Sequence, residues 1–384
     1  MSNENNFDVI IVGGGPAGST AAYLLKQQSL DVLIIDKDKF PRMKLCGGLL
    51  TDKTLKILDE IYGDTIQTLI DKGVINYVSY SYELRTKDEI WHAGHSAIPS
   101  VIVNRYIYDH YLLNRSLEAG AHILHQDRVT KVDISNNTVT TISGKTLKAK
   151  IIIGADGANS VVRKAMNKSI YDPQKWIKGL ATGLEVTIPR ANVGLDVSGP
   201  IIFFDIVPWG YGWVFPNKNN LVIGVGCLFS KKQNLSKALD SLLSTLQFKG
   251  ENPKKQGHPI PYGNFLKRPA NGNIILIGDA AGFVDPLMGE GIYYAHKSAK
   301  LAAESINYVL STTSKETLSN IYIQSVQKNL LNELSNIKKI RGVIFFMMSI
   351  FGVRFLKLVI YIVGIQKFIE LVHGIRSYDW KKDQ

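Results

Sequence analysis

The sequence predicts an α/β fold with an inserted mixed β-sheet and a C-terminal helical region. Three observations support this prediction. The chain opens with a short apolar run, a glycine-rich turn and a helical pattern, and two later apolar runs each end in glycine and aspartate. The stretch YGWVFP alternates aromatic residues in the manner of a strand. A length of 384 residues is sufficient for two closely joined domains.

Composition and charge restrict the class of protein. The chain is 45% hydrophobic and 20% charged, as in ordinary globular proteins. Its two cysteines, Cys46 and Cys227, support neither a disulfide framework nor a cysteine-ligated metal. The first residues have no basic segment ahead of the apolar run, so secretion is not expected. We therefore expect a cytoplasmic enzyme.

The first strand, turn and helix predict a dinucleotide site. The run Phe7–Val12 is apolar, as expected of a buried parallel strand. Gly13, Gly15 and Gly18 follow with GxGxxG spacing, and the helical pattern starts with Pro16 and Ala17. The glycines serve the turn, the close approach of a pyrophosphate and the packing of helix on strand, respectively. A phosphate would then bind at the helix N-terminus.

An acidic residue stands at the expected distance from this turn. A second apolar run, Asp31–Ile35, is followed by Asp36, 23 residues past Gly13 (36 − 13). This is close to the spacing of about 20 residues at which such an acid binds ribose hydroxyls. The unit is therefore Rossmann-like, but the motif alone does not choose between NAD and FAD.

Two further strand-end motifs occur later in the chain. In IIIGADGANSVVR (151–163) a predicted buried strand ends near Asp156 and Gly157, with Asn159 or Ser160 as the cap of a following helix. In NIILIGDAAGFVDPLMGEGIYYA (273–295) a predicted strand ends at Gly278 and Asp279, ahead of another glycine-rich helix start. Taken alone, Asp279 could simply cap a helix.

Together these motifs resemble the FAD-binding enzymes of the para-hydroxybenzoate hydroxylase fold. The resemblance implies that FAD is the cofactor and that Arg105 contacts its phosphates, although a surface arginine is the alternative. It also implies that the helix beginning near Gly289 points its positive end at the flavin, where it stabilises negative charge. The implied cofactor residues are Gly13, Gly15, Pro16, Ala17, Gly18, Asp36, Lys37, Arg42, Cys46, Gly47, Arg105, Asp156, Gly157, Gly278, Asp279, Pro286, Gly289, Gly291 and Ile292.

Two shorter stretches narrow the family. PRMKLCGG (41–48) and YGWVFP (211–216), with the late glycine-rich segment, resemble the geranylgeranyl reductase family over about residues 7–310. The resemblance implies that Cys46 lies at the flavin ring and that the aromatic strand lines an isoprenoid pocket. It gives Cys46 and Tyr211 as catalytic candidates, and as substrate-binding candidates Gly47, Gly48, Tyr211, Trp213 and Phe215. The same aromatic alternation also fits ordinary core packing.

The implied reaction is the reduction of carbon–carbon double bonds of an isoprenoid or lipid-like substrate. The proton donor stays open among Cys46, Tyr211 and water. Gly224 and Gly226 are followed by Phe229 where a third glycine would be needed, so NAD(P)H or another reductant should act transiently. The alternatives are a monooxygenase or halogenase of the same fold, and a membrane-surface flavoprotein without alkene chemistry.

The sequence also predicts how these parts are divided. Residues 1–76, 101–169 and 266–310 are expected to form the FAD-binding domain. Residues 77–100 and 170–265 should form the substrate-side sheet, and residues 311–384 the helical region. His92 and His95 are the tightest histidine pair and are expected in a solvated turn, with no metal site.

The net charge of +12 is concentrated in part at the C-terminus. The apolar run there extends only from Gly342 to Gly352, whereas a membrane-spanning helix needs about 20 residues. Basic residues among apolar ones suit either helices on an anionic membrane surface or a helical cap packed on the protein. No nucleic-acid motif occurs, and the sequence does not predict an oligomeric state. The nine basic residues are Lys338, Lys339, Arg341, Arg354, Lys357, Lys367, Arg376, Lys381 and Lys382, against Glu370, Asp379 and Asp383.

Overall fold

The computed structural model describes residues 6–228, 233–312 and 316–378. Phe229, Asp379, Lys381, Lys382 and Asp383 lie outside these ranges. The strands are β1 (Asn6–Val12), β2 (Val32–Ile35), β3 (Leu49–Leu50), β4 (Ile75–Arg85), β5 (Ile90–Val103), β6 (His122–Leu124), β7 (Val129–Asp133), β8 (Thr138–Thr141), β9 (Thr146–Gly154), β10 (Leu180–Pro189), β11 (Ile201–Phe203), β12 (Gly210–Pro216), β13 (Asn220–Leu228), β14 (Gln256–Pro261), β15 (Ala270–Asn271) and β16 (Ile274–Leu276). The helices are α1 (Pro16–Lys26), α2 (Asp52–Tyr62), α3 (Ile66–Asp71), α4 (Arg105–Glu118), α5 (Val161–Ala165), α6 (Pro173–Lys178), α7 (Leu235–Thr245), α8 (Ile292–Ser311), α9 (Leu318–Val326), α10 (Asn332–Phe351), α11 (Arg354–Val363) and α12 (Ile365–His373).

The chain packs as two units. The first unit comprises residues up to Met43, Tyr106–Ile177 and Pro261–Ser335. The second unit comprises Lys44–Arg105, Lys178–Ile260 and the residues from Asn336 onward. Each unit has its own sheet, and the predicted α/β fold with an inserted mixed sheet and C-terminal helices is confirmed.

The sheet of the first unit carries the predicted dinucleotide unit. Its strand order is β15-β16-β9-β1-β2-β6, and β8 joins it through β9. The strands β16, β9, β1, β2 and β6 run parallel. The connections reverse direction between β1 and β9, which is the point where such sheets bind ligands at the carboxyl ends of their strands. The glycine turn that follows β1 lies at this point.

The sheet of the second unit is mixed, in the order β14-β10-β13-β12-β11-β4-β5-β3. The strand β11 runs parallel to β4, whereas β12 and β13 pair with their neighbours in antiparallel fashion. One face forms a hydrophobic core in which Val214 and Ile223 of the sheet pack with Leu239 and Leu242 of α7. The opposite face of β12 carries Tyr211 and the aromatic residues that alternate with it.

The observed units differ from the predicted boundaries at several places, two of which involve longer segments. The segment 44–76 was expected in the cofactor domain but packs in the second unit, because β3 pairs with β5 through Leu49 and Ile102. The segment 311–335 was expected in the helical region but packs in the first unit. There the Tyr322 hydroxyl donates to the carbonyl of Leu276 at 3.0 Å.

His92 and His95 lie on strand β5, so the predicted turn is wrong. They occupy positions of opposite parity without a bulge between them, so their side chains point to opposite faces of the sheet. His92 Nδ1 lies 2.9 Å from the Tyr82 hydroxyl. Among the described residues no group of histidine, cysteine and acidic side chains is arranged to hold a metal ion.

The C-terminal helices α10, α11 and α12 follow one another with short connections at Gly352 and Gly364, both of which have positive φ. In the described ranges, no helix combines the length and the apolarity that crossing a membrane requires.

A buried histidine connects three helices of the first unit. His296 of α8 is 0% exposed. Its Nδ1 lies 2.7 Å from the Thr20 hydroxyl of α1, and its Nε2 lies 2.7 Å from the Tyr108 hydroxyl of α4. Both ring nitrogens therefore have partners, which a buried imidazole requires.

Replacing Tyr108 with phenylalanine should destabilise the first unit. The change removes the 2.7 Å contact between the Tyr108 hydroxyl and the buried His296 Nε2, and losing such a buried hydrogen bond costs about 1–3 kcal/mol. Tyr106→Phe on the same helix is the control, because its side chain is 41% exposed and water replaces its contacts. The free energy of unfolding from urea titration measures both variants. Equal losses for the two would contradict the role given to the histidine.

Candidate functional site

The glycine turn after β1 is tight enough to require the observed residues. A Cβ atom on Gly18 would lie 1.8 Å from the carbonyl oxygen of Gly13, so any side chain there would force α1 away from the strand. Gly13 has φ +105°, and a Cβ on it would lie 2.5 Å from the Ala155 carbonyl oxygen. The turn is thus packed directly against the end of β9.

The N-terminus of α1 is open to a ligand. Gly15 is its N-cap residue and provides no side chain to cap the helix, and Pro16 and Ala17 form its buried first turn. A Cβ built on Gly15 would meet only the guanidinium of Arg42, at 3.5 Å. Arg42 also lies 3.3 Å from the Asp109 carboxylate. The backbone approach and the adjacent cation fit a pyrophosphate.

The Asp36 carboxylate is fixed at the carboxyl end of β2. It is buried, and its Oδ2 accepts the Gly14 N–H at 2.6 Å while Oδ1 accepts the Asp38 N–H at 2.9 Å. The carboxylate therefore stands beside the glycine turn, as the proposed ribose contact requires. Lys37, the next residue, is exposed.

Asp156 lies against the opposite side of the same turn. Its Oδ2 accepts the Val161 N–H at 2.6 Å, whereas Oδ1 is buried without a hydrogen-bond partner in the described protein. Burial raises the pKa of this carboxyl. Gly157 follows with φ +75°, and Ser160 caps α5 by accepting the Arg163 N–H at 2.9 Å, which confirms one of the two predicted caps. A buried oxygen without a partner at this position fits a bound cofactor.

Arg163 links the two later motifs, a role that the sequence analysis missed. It is 1% exposed and donates to the Ala158 carbonyl at 2.6 Å and to the Ala280 carbonyl at 2.8 Å. Its guanidinium lies 3.5 Å from the centre of the Trp176 ring. A cation buried in this way fixes the Asp156 loop relative to the segment that contains Asp279.

The start of α8 approaches the same region of the first unit. A Cβ on Gly278 would lie 3.0 Å from that of Ala17, so this loop packs on α1. A Cβ on Gly291 would lie 3.2 Å from Asp279 Oδ1. No side chain caps α8, which begins at Ile292 with Gly291 as its N-cap. Gly289 has φ +73°, and Pro286 is buried.

The glycine turn, the Asp156 loop and the segment that contains Asp279 therefore meet at one edge of the first sheet. Cys46, Gly47 and Arg105 belong instead to the second unit. The three segments that meet provide an uncapped helix start, a close backbone cradle and an unpartnered buried oxygen, and these features fit FAD. Their individual roles toward FAD stay predictions.

In the second unit, the last part of PRMKLCGG (residues 44–48) packs against YGWVFP. A Cβ on Gly47 would lie 2.3 Å from the Phe215 ring, so the ring rests directly on the glycine backbone. Gly48 has φ +75°, and a Cβ there would lie 2.1 Å from the Val103 carbonyl oxygen. The half-buried Cys46 accepts the Gly48 N–H at 3.4 Å through its Sγ. The two glycines are thus required by close packing within this unit.

Glycines on the neighbouring strands make room for the aromatic side chains of β12. Trp213 is paired with Gly224 of β13, and Tyr211 with Gly226. A Cβ on Gly224 would lie 2.3 Å from the Trp213 ring, so the indole extends over β13. Tyr211 lies beside Trp213, with ring centres 5.8 Å apart. The result is an aromatic surface on the face opposite the α7 core, with the Tyr211 and Trp213 rings tilted by 59° to each other.

Glu185 extends this surface onto β10 and was also missed from the sequence. It is paired with Gly224, and a Cβ on Gly224 would lie 2.9 Å from its Cγ. Glu185 is only 8% exposed. Burial raises its pKa to about 7, although Lys44, Arg105 and the Cys46 backbone all favour the charged form.

Arg105 begins α4 and is buried, so the alternative of a surface arginine is wrong. Within the second unit its charge favours the ionised form of Glu185. Its predicted contact with the FAD phosphates stays a prediction.

Comparison with known proteins gives the family. Residues 6–193 match the FAD binding domain family. The chain is 31% identical to geranylgeranyl diphosphate reductase of Rhodobacter capsulatus, over 78% of this chain and 74% of the relative. The chain belongs to the geranylgeranyl reductase family. It is therefore an FAD-dependent oxidoreductase.

One further relative and one solved structure are also similar to this member of the geranylgeranyl reductase family. The chain is 30% identical to menaquinone reductase of Mycolicibacterium smegmatis, over 77% of this chain and 75% of the relative. Its fold matches a geranylgeranyl bacteriochlorophyll reductase-like protein of Thermoplasma acidophilum with a TM-score of 0.74 at 22% identity, covering 88% and 87% of the two chains.

Gly18→Ala should reduce FAD content. The added methyl group overlaps the Gly13 carbonyl, and overpacking of about 1–3 kcal/mol corresponds to a roughly 5- to 150-fold weaker affinity. Gly342→Ala is the control, since a Cβ there meets nothing within 4 Å. Flavin absorbance per protein and circular dichroism measure cofactor and fold. Full flavin content in a folded Gly18→Ala protein would contradict the tight turn.

Proposed function

We propose that this oxidoreductase reduces carbon–carbon double bonds of an isoprenoid chain. The observation that supports this most directly is the packing of Phe215 on Gly47, which joins the two motifs of the family into one surface. This surface is mainly aromatic, with the buried Glu185 at its β10 side, and its rings suit a hydrocarbon tail that offers no hydrogen bonds.

When bound, FAD in its reduced form supplies the hydride that an alkene carbon accepts. The chain's own contribution is to hold the cofactor at the glycine turn and to position the alkene by apolar contact. An isolated double bond has no carbonyl to polarise, so positioning and proton donation provide most of the acceleration. Cys46 and Tyr211 are the catalytic candidates from the sequence. NAD(P)H or another reductant is the expected electron source.

The substrate candidates share an isoprenoid tail and differ in the group that carries it. Relatives are named for geranylgeranyl diphosphate and for menaquinone. We therefore infer a prenyl diphosphate, a polyprenyl lipid or the tail of a quinone as the substrate class.

An anaerobic experiment tests the function. The purified protein is reduced with dithionite, and geranylgeranyl diphosphate or a menaquinone is added. Reoxidation of the flavin, with a mass gain of about two per reduced bond, is the expected result because two hydrogens add to each alkene. Geranylgeraniol reduced chemically in advance is the control, since it has no double bond left to accept hydride.

Other outcomes would favour the alternatives. Oxygen consumption with NAD(P)H that depends on substrate would indicate a monooxygenase or halogenase of the same fold. Binding to lipid without any reduced product would indicate a membrane-surface flavoprotein.

We also propose that the face of α10 and α11 that is exposed in the second unit docks on an anionic membrane. Val343, Phe346 and Ile350 are exposed at helical spacing on α10, and Tyr361 and Ile362 are exposed on α11. The inner side of α10 packs instead through Phe345, whose ring lies 5.6 Å from that of Trp209. An apolar stripe directed toward solvent is the pattern of an interfacial helix.

Charge favours a lipid surface over a second copy of the chain. Between Lys338 and Tyr378 there are seven basic residues and one acid, Glu370, which pairs with Arg376 at 3.1 Å. A second copy on this face would bring like charges together, whereas anionic headgroups attract them.

The combined variant Phe346→Ser, Ile350→Ser and Ile362→Ser should bind vesicles at least about tenfold more weakly, since each inserted side chain contributes ~1–2 kcal/mol. The control is Ile142→Ser with Ile177→Ser, exposed residues of the first unit. Co-sedimentation uses phosphatidylcholine vesicles with and without phosphatidylglycerol. No binding by the wild type, or a dimer dissolved by the triple variant, would overturn the docking proposal.

A further inference from the structure

We propose that Glu185 is the proton donor in alkene reduction. The inference rests on the proposed function and adds a residue that neither the motifs nor the family resemblance indicated. The observation that supports this inference is the position of the Glu185 carboxyl on the aromatic surface.

The register of three strands places Glu185 beside Trp213. Glu185 of β10 and Trp213 of β12 are both paired with Gly224 of β13, which lies between them. Because Gly224 has no side chain, the carboxyl stem and the indole approach each other above it, and a Cβ there would meet both. The carboxyl therefore stands on the surface proposed to hold the isoprenoid chain.

The surroundings of Glu185 suit repeated proton transfer. Burial disfavours the carboxylate, whereas the charges of Lys44 and Arg105 and the Cys46 backbone stabilise it. These opposing effects leave the pKa at about 7, so the protonated and charged forms are close in free energy near neutral pH. A general acid is most effective when its pKa lies near the working pH.

The proton and electron balance is complete with this donor. Reduced FAD, when bound, would supply the hydride and hence both electrons to one alkene carbon. The other carbon accepts the proton of Glu185, whose O–H bond breaks as the new C–H bond forms. The remaining carboxylate is stabilised by Lys44 and Arg105 and takes up a proton from water before the next turnover.

Glu185 adds to the donors that the sequence left open. The pKa of the Glu185 carboxyl lies at about 7, near the working pH at which a general acid is most effective. Replacing Cys46 and Tyr211 in the same assay separates the three assignments.

The kinetic test uses Glu185→Gln, which keeps the shape and removes the acid. Reduction by dithionite should be unchanged, while reoxidation by prenyl substrate under anaerobic conditions should slow roughly 10²- to 10⁴-fold. The wild-type rate should fall as pH rises through about 7, and this limb should be absent from the variant. Glu185→Asp should recover part of the rate. Glu83→Gln, a partly buried carboxyl paired with Arg85, is the control and should keep the wild-type pH profile.

A stability measurement tests the protonation independently of activity. The folded pKa lies above the ordinary value of 4.5, so the protonated carboxyl stabilises the fold at low pH, and this contribution is lost as pH rises toward and through about 7. The melting temperature of the wild type relative to Glu185→Gln should therefore decrease between pH 5 and pH 8. A constant difference would show that the carboxyl does not hold a proton there.

The outcomes separate this inference from the proposed function. If the wild type reduces no prenyl substrate, the function fails, whatever Glu185 does. If the wild type is active and Glu185→Gln is equally fast, or Cys46→Ala or Tyr211→Phe alone abolishes the pH limb, the donor assignment is overturned. If Glu185→Gln does not fold, a wild-type rate that is constant from pH 5.5 to pH 8.5 would overturn it equally.

Discussion

The contact between α1 and the end of β1 is the constraint on which the glycine turn of the first unit and the loops around it depend. The helix can start where it does only because Gly18 lets its backbone approach the Gly13 carbonyl. That approach directs the uncapped helix start toward the point where the sheet order reverses. The loops after β2, β9 and β16 then bring Asp36, Asp156 and Asp279 to the same edge. A shift of α1 would move its open N-terminus away from these carboxylates.

The second unit depends on a different use of glycine. Gly47, Gly224 and Gly226 do not form turns, because their task is to leave space for flat rings. The indole of Trp213 covers two strands, and Phe215 covers a loop. The two faces of this sheet thus have separate tasks. One face carries branched side chains that pack against α7, and the other face carries the aromatic rings of β12.

The parts of the fold that the sequence predicts well are those fixed by local geometry. The strand, turn and helix around Gly13 follow from residue types at fixed spacing, as does Ser160 as a helix cap. Glu185 could not be found in this way, since GLEVTIP is an ordinary strand sequence. Its position depends on the register of β10 and β12 with β13, which no local pattern encodes. The sequence analysis also missed the linking role of Arg163 and the position of residues 44–76 in the second unit. Both depend on contacts between segments that are distant in the sequence.

Gly224 links two side chains that the sequence keeps far apart. A single methyl group at this position would push against the indole and the carboxyl stem at once. Evolution could alter the aromatic surface by changing Trp213, or the carboxyl by changing Glu185, without affecting the other. A change at Gly224 would alter both together, so this residue without a side chain limits how independently the two can diverge.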